Sequence, residues 1–147
     1  MTNIYLLSAI MIGAIFAMQA AINGAASKML GTPIAASALS VGITLVACAT
    51  VMLATRSTPP MASFAALPWW IFLGGVLGFI VVTGSAGLVP VTGAVLFIVC
   101  LIAGQLLGSV LLDHFGAFGL EVQKISPIRV LGVLLTFSGV LLVRFGG

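Results

Sequence analysis

Charge is what this chain has least of. Among 147 residues there are two acids, Asp113 and Glu121, and five bases, Lys28, Arg56, Lys124, Arg129 and Arg144. Soluble domains are about 25% charged and about 45–50% apolar; here the values are 5% and 62%. A surface so poor in charge does not hold a domain of this size in water. The five bases are scattered, each beside an apolar run, so the net charge of +3 forms no basic patch for nucleic acid. Cysteine is nearly absent as well: Cys48 and Cys100 cannot make a disulfide framework. Glycine shows no G-X-Y period, which excludes a collagen-like chain, and the apolar excess excludes disorder. What remains is long apolar runs, and they define an all-α integral membrane protein.

A spanning helix needs about 20 apolar residues, because the hydrocarbon core is roughly 30 Å thick. Charges and prolines divide the chain into five such spans, expected at about 4–22, 33–53, 68–84, 90–112 and 127–143, in a single transmembrane domain over 1–147. Lys28, Gly31 and Pro33 mark the first turn, and Arg56 with the STPPMAS segment marks a loop. Pro68 and Pro90 suit the first turns of the third and fourth helices, where proline loses no needed hydrogen bond. No base precedes the first apolar run and no A-x-A site leads into a polar domain, so the first helix is expected to be kept rather than cleaved.

Five spans place Arg56, Lys124 and Arg129 on one side of the membrane and Lys28 and Arg144 on the other. Cytoplasmic loops normally hold the excess of Lys and Arg. Three against two is almost no bias, which leaves two expectations: one orientation with the N-terminus inside, or insertion both ways. Oppositely oriented five-helix chains would pair into the inverted repeat on which many secondary transporters are built. Small residues that let helices approach occur at Ala9, Gly13, Ala17 and Ala21, at Gly74 and Gly78, and at Gly104 and Gly108. Packing within the chain is the first expectation for these ridges, and a dimer contact the second.

Polar groups within spans are candidates for function, since lipid gives them no partner. Gln19 and Asn23 share a face of the first helix, as do Gln105 and Ser109 on the fourth, with Asp113 continuing the stripe. Each amide either makes an interhelical hydrogen bond or lines a substrate cavity, and Asn23 is also placed to cap its helix. Asp113 and His114 form the one titratable pair at a helix end, and a carboxylate there would raise the imidazole's proton affinity. Two ligands are too few for a metal site. Trp69 and Trp70 read as an interfacial belt, or as a π-face for a cationic solute at the mouth of a path. Phe115, Phe118, Leu120 and Val122 fit the headgroup boundary, or a lid, and the two cysteines read as small buried hydrophobes. No acid or base lies in mid-span, and no nucleophile elbow, phosphate loop or HExxH appears, so neither an enzyme nor a cofactor is expected.

The Q-x-x-x-N of the first helix leads into GTPIAA; PWW is followed by LGG; Pro90 and Gly93 precede GQLLGSVLLDHFGAFG; and SPIRVLG closes the chain. In these marks the sequence resembles the YdcZ-like family of the drug/metabolite transporter superfamily over nearly its whole length, most specifically from Gly104 to Gly119. The resemblance implies a five-helix unit of the bacterial inner membrane, like one half of a ten-helix transporter and often with little orientation bias. It does not extend to the first-helix glutamate of the four-helix multidrug exporters, because Ala14, Ile15 and Phe16 stand there. The expected function is a secondary transporter or facilitator of a small organic solute, a metabolite or organic cation, working as an antiparallel dimer or beside a related chain. Gln19, Asn23 and Gln105 are expected to line its path, with Trp69, Trp70, Asp113 and His114 at the mouth. The alternative is a scaffold or accessory subunit that binds another membrane protein.

Overall fold

The computed structural model describes residues 2–146. Among them there is no strand, and five helices are long and apolar enough to cross a membrane. The chain is an all-α, multi-pass membrane protein. α1 (Thr2–Leu30) is followed by α2 (Pro33–Ala54), whose start is set by Thr32: its hydroxyl accepts the Ile34 N–H at 3.3 Å, and Pro33 occupies the first turn. α2 ends in a Schellman turn. Arg56 takes a left-handed φ of 52°, and the N–H groups of Arg56 and Ser57 reach back to the carbonyls of Leu53 and Met52 at 3.2 and 3.0 Å. A short α3 (Met61–Ala65) and a 3-10 turn (Trp69–Phe72) lead into α4 (Leu73–Thr92), then α5 (Ala94–Phe115), a second 3-10 turn (Ala117–Gly119) and α6 (Pro127–Phe145).

Several expectations change. α1 runs to Leu30 rather than Ile22, because helix formers such as Ala25, Ala26, Lys28 and Met29 carry it past Gly24, and it stops only where Gly31 takes a φ of 76° ahead of Pro33. Asn23 is therefore inside the helix and caps nothing. The segment after Arg56, read as loop, contains α3. Pro90 lies within α4 instead of opening the next helix, and the break falls at Gly93. Gly93 has φ 79° and ψ 156°, a conformation essentially confined to glycine, so it stops the helix where a proline alone does not.

Contacts divide the chain into two compact units, one ending at Val91 and one beginning at Thr92, and each is described by itself. In the first, α1 packs along α2, and the end of α4 meets both. A Cβ on Gly24 would lie 3.3 Å from the Pro90 ring and from Val89; one on Gly87 would lie 3.3 Å from the Pro33 ring. The first of these contacts seats Pro90 inside α4, where its rigid ring lies against a surface of α1 that has no side chain. Around them the buried residues are small, Ala20, Ala36, Ser37, Ser85 and Ala86. Membrane helices associate by such close approach, since lipid provides no hydrophobic drive.

The glycine ridges read from the sequence are elsewhere. Gly13, Gly74, Gly78, Gly104 and Gly108 have nothing within 4 Å of where a Cβ would stand, so packing inside each unit does not use them. Cys48 and Cys100 are exposed and unbonded rather than buried, which lipid tolerates in a small apolar side chain. In the second unit α5 packs along α6.

Candidate functional site

α1 and α2 leave a groove on each side of their seam. One, of about 420 Å³, is lined by Gln19 and Asn23 with Ile22, Leu39, Ser40 and Thr44 among its walls. The other, of about 470 Å³, is closed by α4 through Phe79 and Val82, and holds Gln19, Ser37, Ser40 and Thr44. Gln19, Ser40 and Thr44 are common to both grooves. Lys28 sits in the last turn of α1, and Gln19 is nine residues before it. At 1.5 Å per residue that is roughly 14 Å along the axis. With Lys28 at the boundary of a hydrocarbon layer about 30 Å thick, Gln19 lies near the midplane.

The hydroxyls of this seam follow from helix periodicity. Ser37, Ser40 and Thr44 are three and four residues apart, which puts them on one face of α2. Sequence reading passed over them; their spacing was the available signal. Ser37 donates to the Pro33 carbonyl at 2.8 Å and Thr44 to the Ser40 carbonyl at 2.9 Å, so each hydroxyl oxygen remains an acceptor. Asn23 differs. It is only 5% exposed yet lines the groove, and its carboxamide, bonded to none of the described residues, opens on that space. Filling the groove with lipid alone would leave that amide unpaired, at a cost of about 1–3 kcal/mol. On α4 the Thr83 hydroxyl oxygen is buried without a partner.

The other predicted residues are differently placed. Trp69 and Trp70 form the 3-10 turn ahead of α4, are exposed, and are not among the residues lining either groove. Gln105 lies exposed on α5, where Ser109 donates to its backbone carbonyl at 2.8 Å. Asp113 and His114 end α5 but do not act on each other. Asp113 faces Arg129 of α6 at 3.4 Å, and its backbone carbonyl accepts the Gln123 N–H at 2.8 Å. His114 Nδ1 accepts the Ile125 N–H at 3.4 Å, which leaves the ring proton on Nε2. Arg129 also donates to the Gln123 side-chain oxygen. These bonds fold the 116–126 segment back as a clasp between α5 and α6. Gly116 starts the fold in the left-handed region (φ 61°), with Val122 packed so closely that a Cβ would stand 2.7 Å from its methyl carbon. Phe115, Leu120 and Val122 are exposed around it. Among the described residues no group of three metal-ligating side chains occurs.

Comparison with protein families matches residues 4–142 to the one described as "Putative inner membrane exporter, YdcZ". The chain belongs to this YdcZ family. The match takes in all but the ends of the sequence and both units. The family is one of membrane transport proteins rather than of enzymes. No curated relative and no solved structure matches it. In this YdcZ-family chain the α1–α2 seam brings polar side chains and open volume together.

Proposed function

We propose that the chain is a secondary transporter or facilitator that moves a small organic solute across the bacterial inner membrane, as an antiparallel homodimer or paired with a related chain. The observation that carries this reading is the Asn23 carboxamide, bonded to none of the described residues and opening on a groove one helical turn from Gln19. A polar group kept in lipid at a cost is a solute site by default. In this reading Gln19 and Asn23 line the path in the first unit, with Trp69 and Trp70 at its mouth; Gln105, Asp113 and His114 are the proposed solute contacts of the second unit, the last two held by the α5–α6 clasp. Pairing of oppositely oriented chains would complete an inverted repeat, and rocking of one chain against the other would expose the groove to each side in turn. The near balance of Lys and Arg between the two sides and the open glycine ridges on α4 and α5 support such pairing.

The test compares solutes released by cells producing the chain with those released by cells producing Gln19→Leu or Gln105→Leu. Both variants are expected to lose release while a cross-linked dimer persists. Unchanged release in both overturns the assignment of these residues. The same glycine ridges also fit a scaffold subunit, which would purify as a stable heteromer and release nothing.

A further inference from the structure

The α1–α2 seam offers hydrogen bonds in both directions and no charge. Asn23 and Gln19 each carry an amide with two N–H donors and one oxygen acceptor, while Thr44 has spent its donor on its own helix and presents an acceptor. None of the residues lining either groove is ionisable. The first unit as a whole contains two charged side chains, Lys28 and Arg56, both positive, and neither lines a groove. An organic cation seated here would meet no counter-charge, and an anion would meet no base. A buried charge is stable only when paired. The rest of the wall is apolar, with Ile22, Leu39 and Ile43 facing the space beside Asn23.

We infer that this seam takes a neutral solute with an apolar body and a head group that both donates and accepts hydrogen bonds, of the carboxamide kind, and turns away organic cations. The inference rests on the reading above that the groove is the solute site, and it narrows the solute to one class. Asn23 is the anchor: its unpaired amide is satisfied in both directions by a second amide, and by neither a guanidinium-like donor nor a carboxylate alone.

Benzamide, benzamidinium and benzoate share a ring and a planar head but carry charges of zero, plus one and minus one. The experiment titrates each into the purified full-length chain in detergent and follows the side-chain amide protons by NMR. Five side chains carry such amides, Asn3, Gln19, Asn23, Gln105 and Gln123. Benzamide is expected to give saturable shifts at Asn23 and Gln19, with benzamidinium and benzoate at least about tenfold weaker. Asn23→Leu should remove the Gln19 response to benzamide. Asn23→Asp, which keeps the shape and adds a counter-charge, should turn preference toward benzamidinium. Benzamidinium binding the unaltered chain as tightly as benzamide would overturn the neutral class and leave the site standing. Absence of any saturable shift at Asn23 and Gln19 would overturn the site along with the class. Shifts that follow the protein-to-detergent ratio instead of benzamide would assign the seam to a second copy of the chain, which also overturns the inference.

Discussion

At the scale of single residues, the fold turns on glycines placed where a side chain would collide. Gly24 faces the Pro90 ring and Val89, whereas Gly13, on the same helix, faces open space. Pro90 is locked in α4 and Val89 is buried, so neither can move aside for a methyl group. Gly24→Ala is expected to destabilise the chain by about 1–3 kcal/mol through overpacking. Gly13→Ala should be neutral or stabilising by up to about 1 kcal/mol, because alanine is the better helix former. Unfolding of the two variants in mixed detergent, followed by circular dichroism, measures the difference; equal effects would show that the Gly24–Pro90 contact contributes nothing. Both positions are glycines in similar apolar runs, so sequence alone does not rank them. The distinction depends on what lies opposite, which is set by how α1 and α4 cross. Gln19 and Asn23 were legible for a different reason: an amide inside an apolar run stands out without knowledge of its neighbours.

At the scale of elements, the segment between α5 and α6 is ordered by hydrogen bonds rather than by burial. Asp113, His114, Gln123 and Arg129 tie the end of α5 to the loop and to the first turn of α6, although most of the segment is exposed. A half-exposed ion pair is worth at most about 1 kcal/mol, so the clasp relies on several modest bonds acting together. Arg129→Gln is expected to speed exchange of the Gln123 and Ile125 amides by up to about fivefold, the equivalent of that energy. The helix content should not change. Unaltered exchange at both amides would mean that Arg129 does not hold the segment. Pairing of Asp113 with His114 was a natural reading of adjacent residues, yet the bonds formed go to α6 and the loop. Sequence neighbours at a helix end point in different directions, and the partner is supplied from sixteen residues away.

At the scale of the whole molecule, orientation in the membrane decides which assemblies are open to the chain. With Arg56, Lys124 and Arg129 on one side and Lys28 and Arg144 on the other, the positive-inside bias is a single charge. Single cysteines placed near Arg56 and near Arg144, in a chain lacking Cys48 and Cys100, are expected to label from both faces of intact cells. Labelling from one face only would eliminate the antiparallel homodimer and leave either an oppositely oriented partner chain or the scaffold reading. Shifting the balance should follow the same rule: removing Lys28 is expected to bias insertion toward the orientation with Arg56 inside.

The sequence by itself determined the solvent of this protein. Twenty-residue apolar runs bounded by lone charges have no stable folding in water, and every backbone polar group in lipid must be satisfied within a helix. Five spanning helices and the isolated amides on the first of them follow from that alone. Tertiary structure decided the rest: that Pro90 stays inside α4, that Gly24 and Gly87 receive proline rings while the G-x-x-x-G ridges stay bare inside each unit, and that the Asn23 carboxamide, bonded to none of the described residues, opens on a groove. These depend on which faces of separate helices meet. In lipid that choice is made by shape rather than by hydrophobicity, and hydrophobic pattern is what a sequence records most clearly.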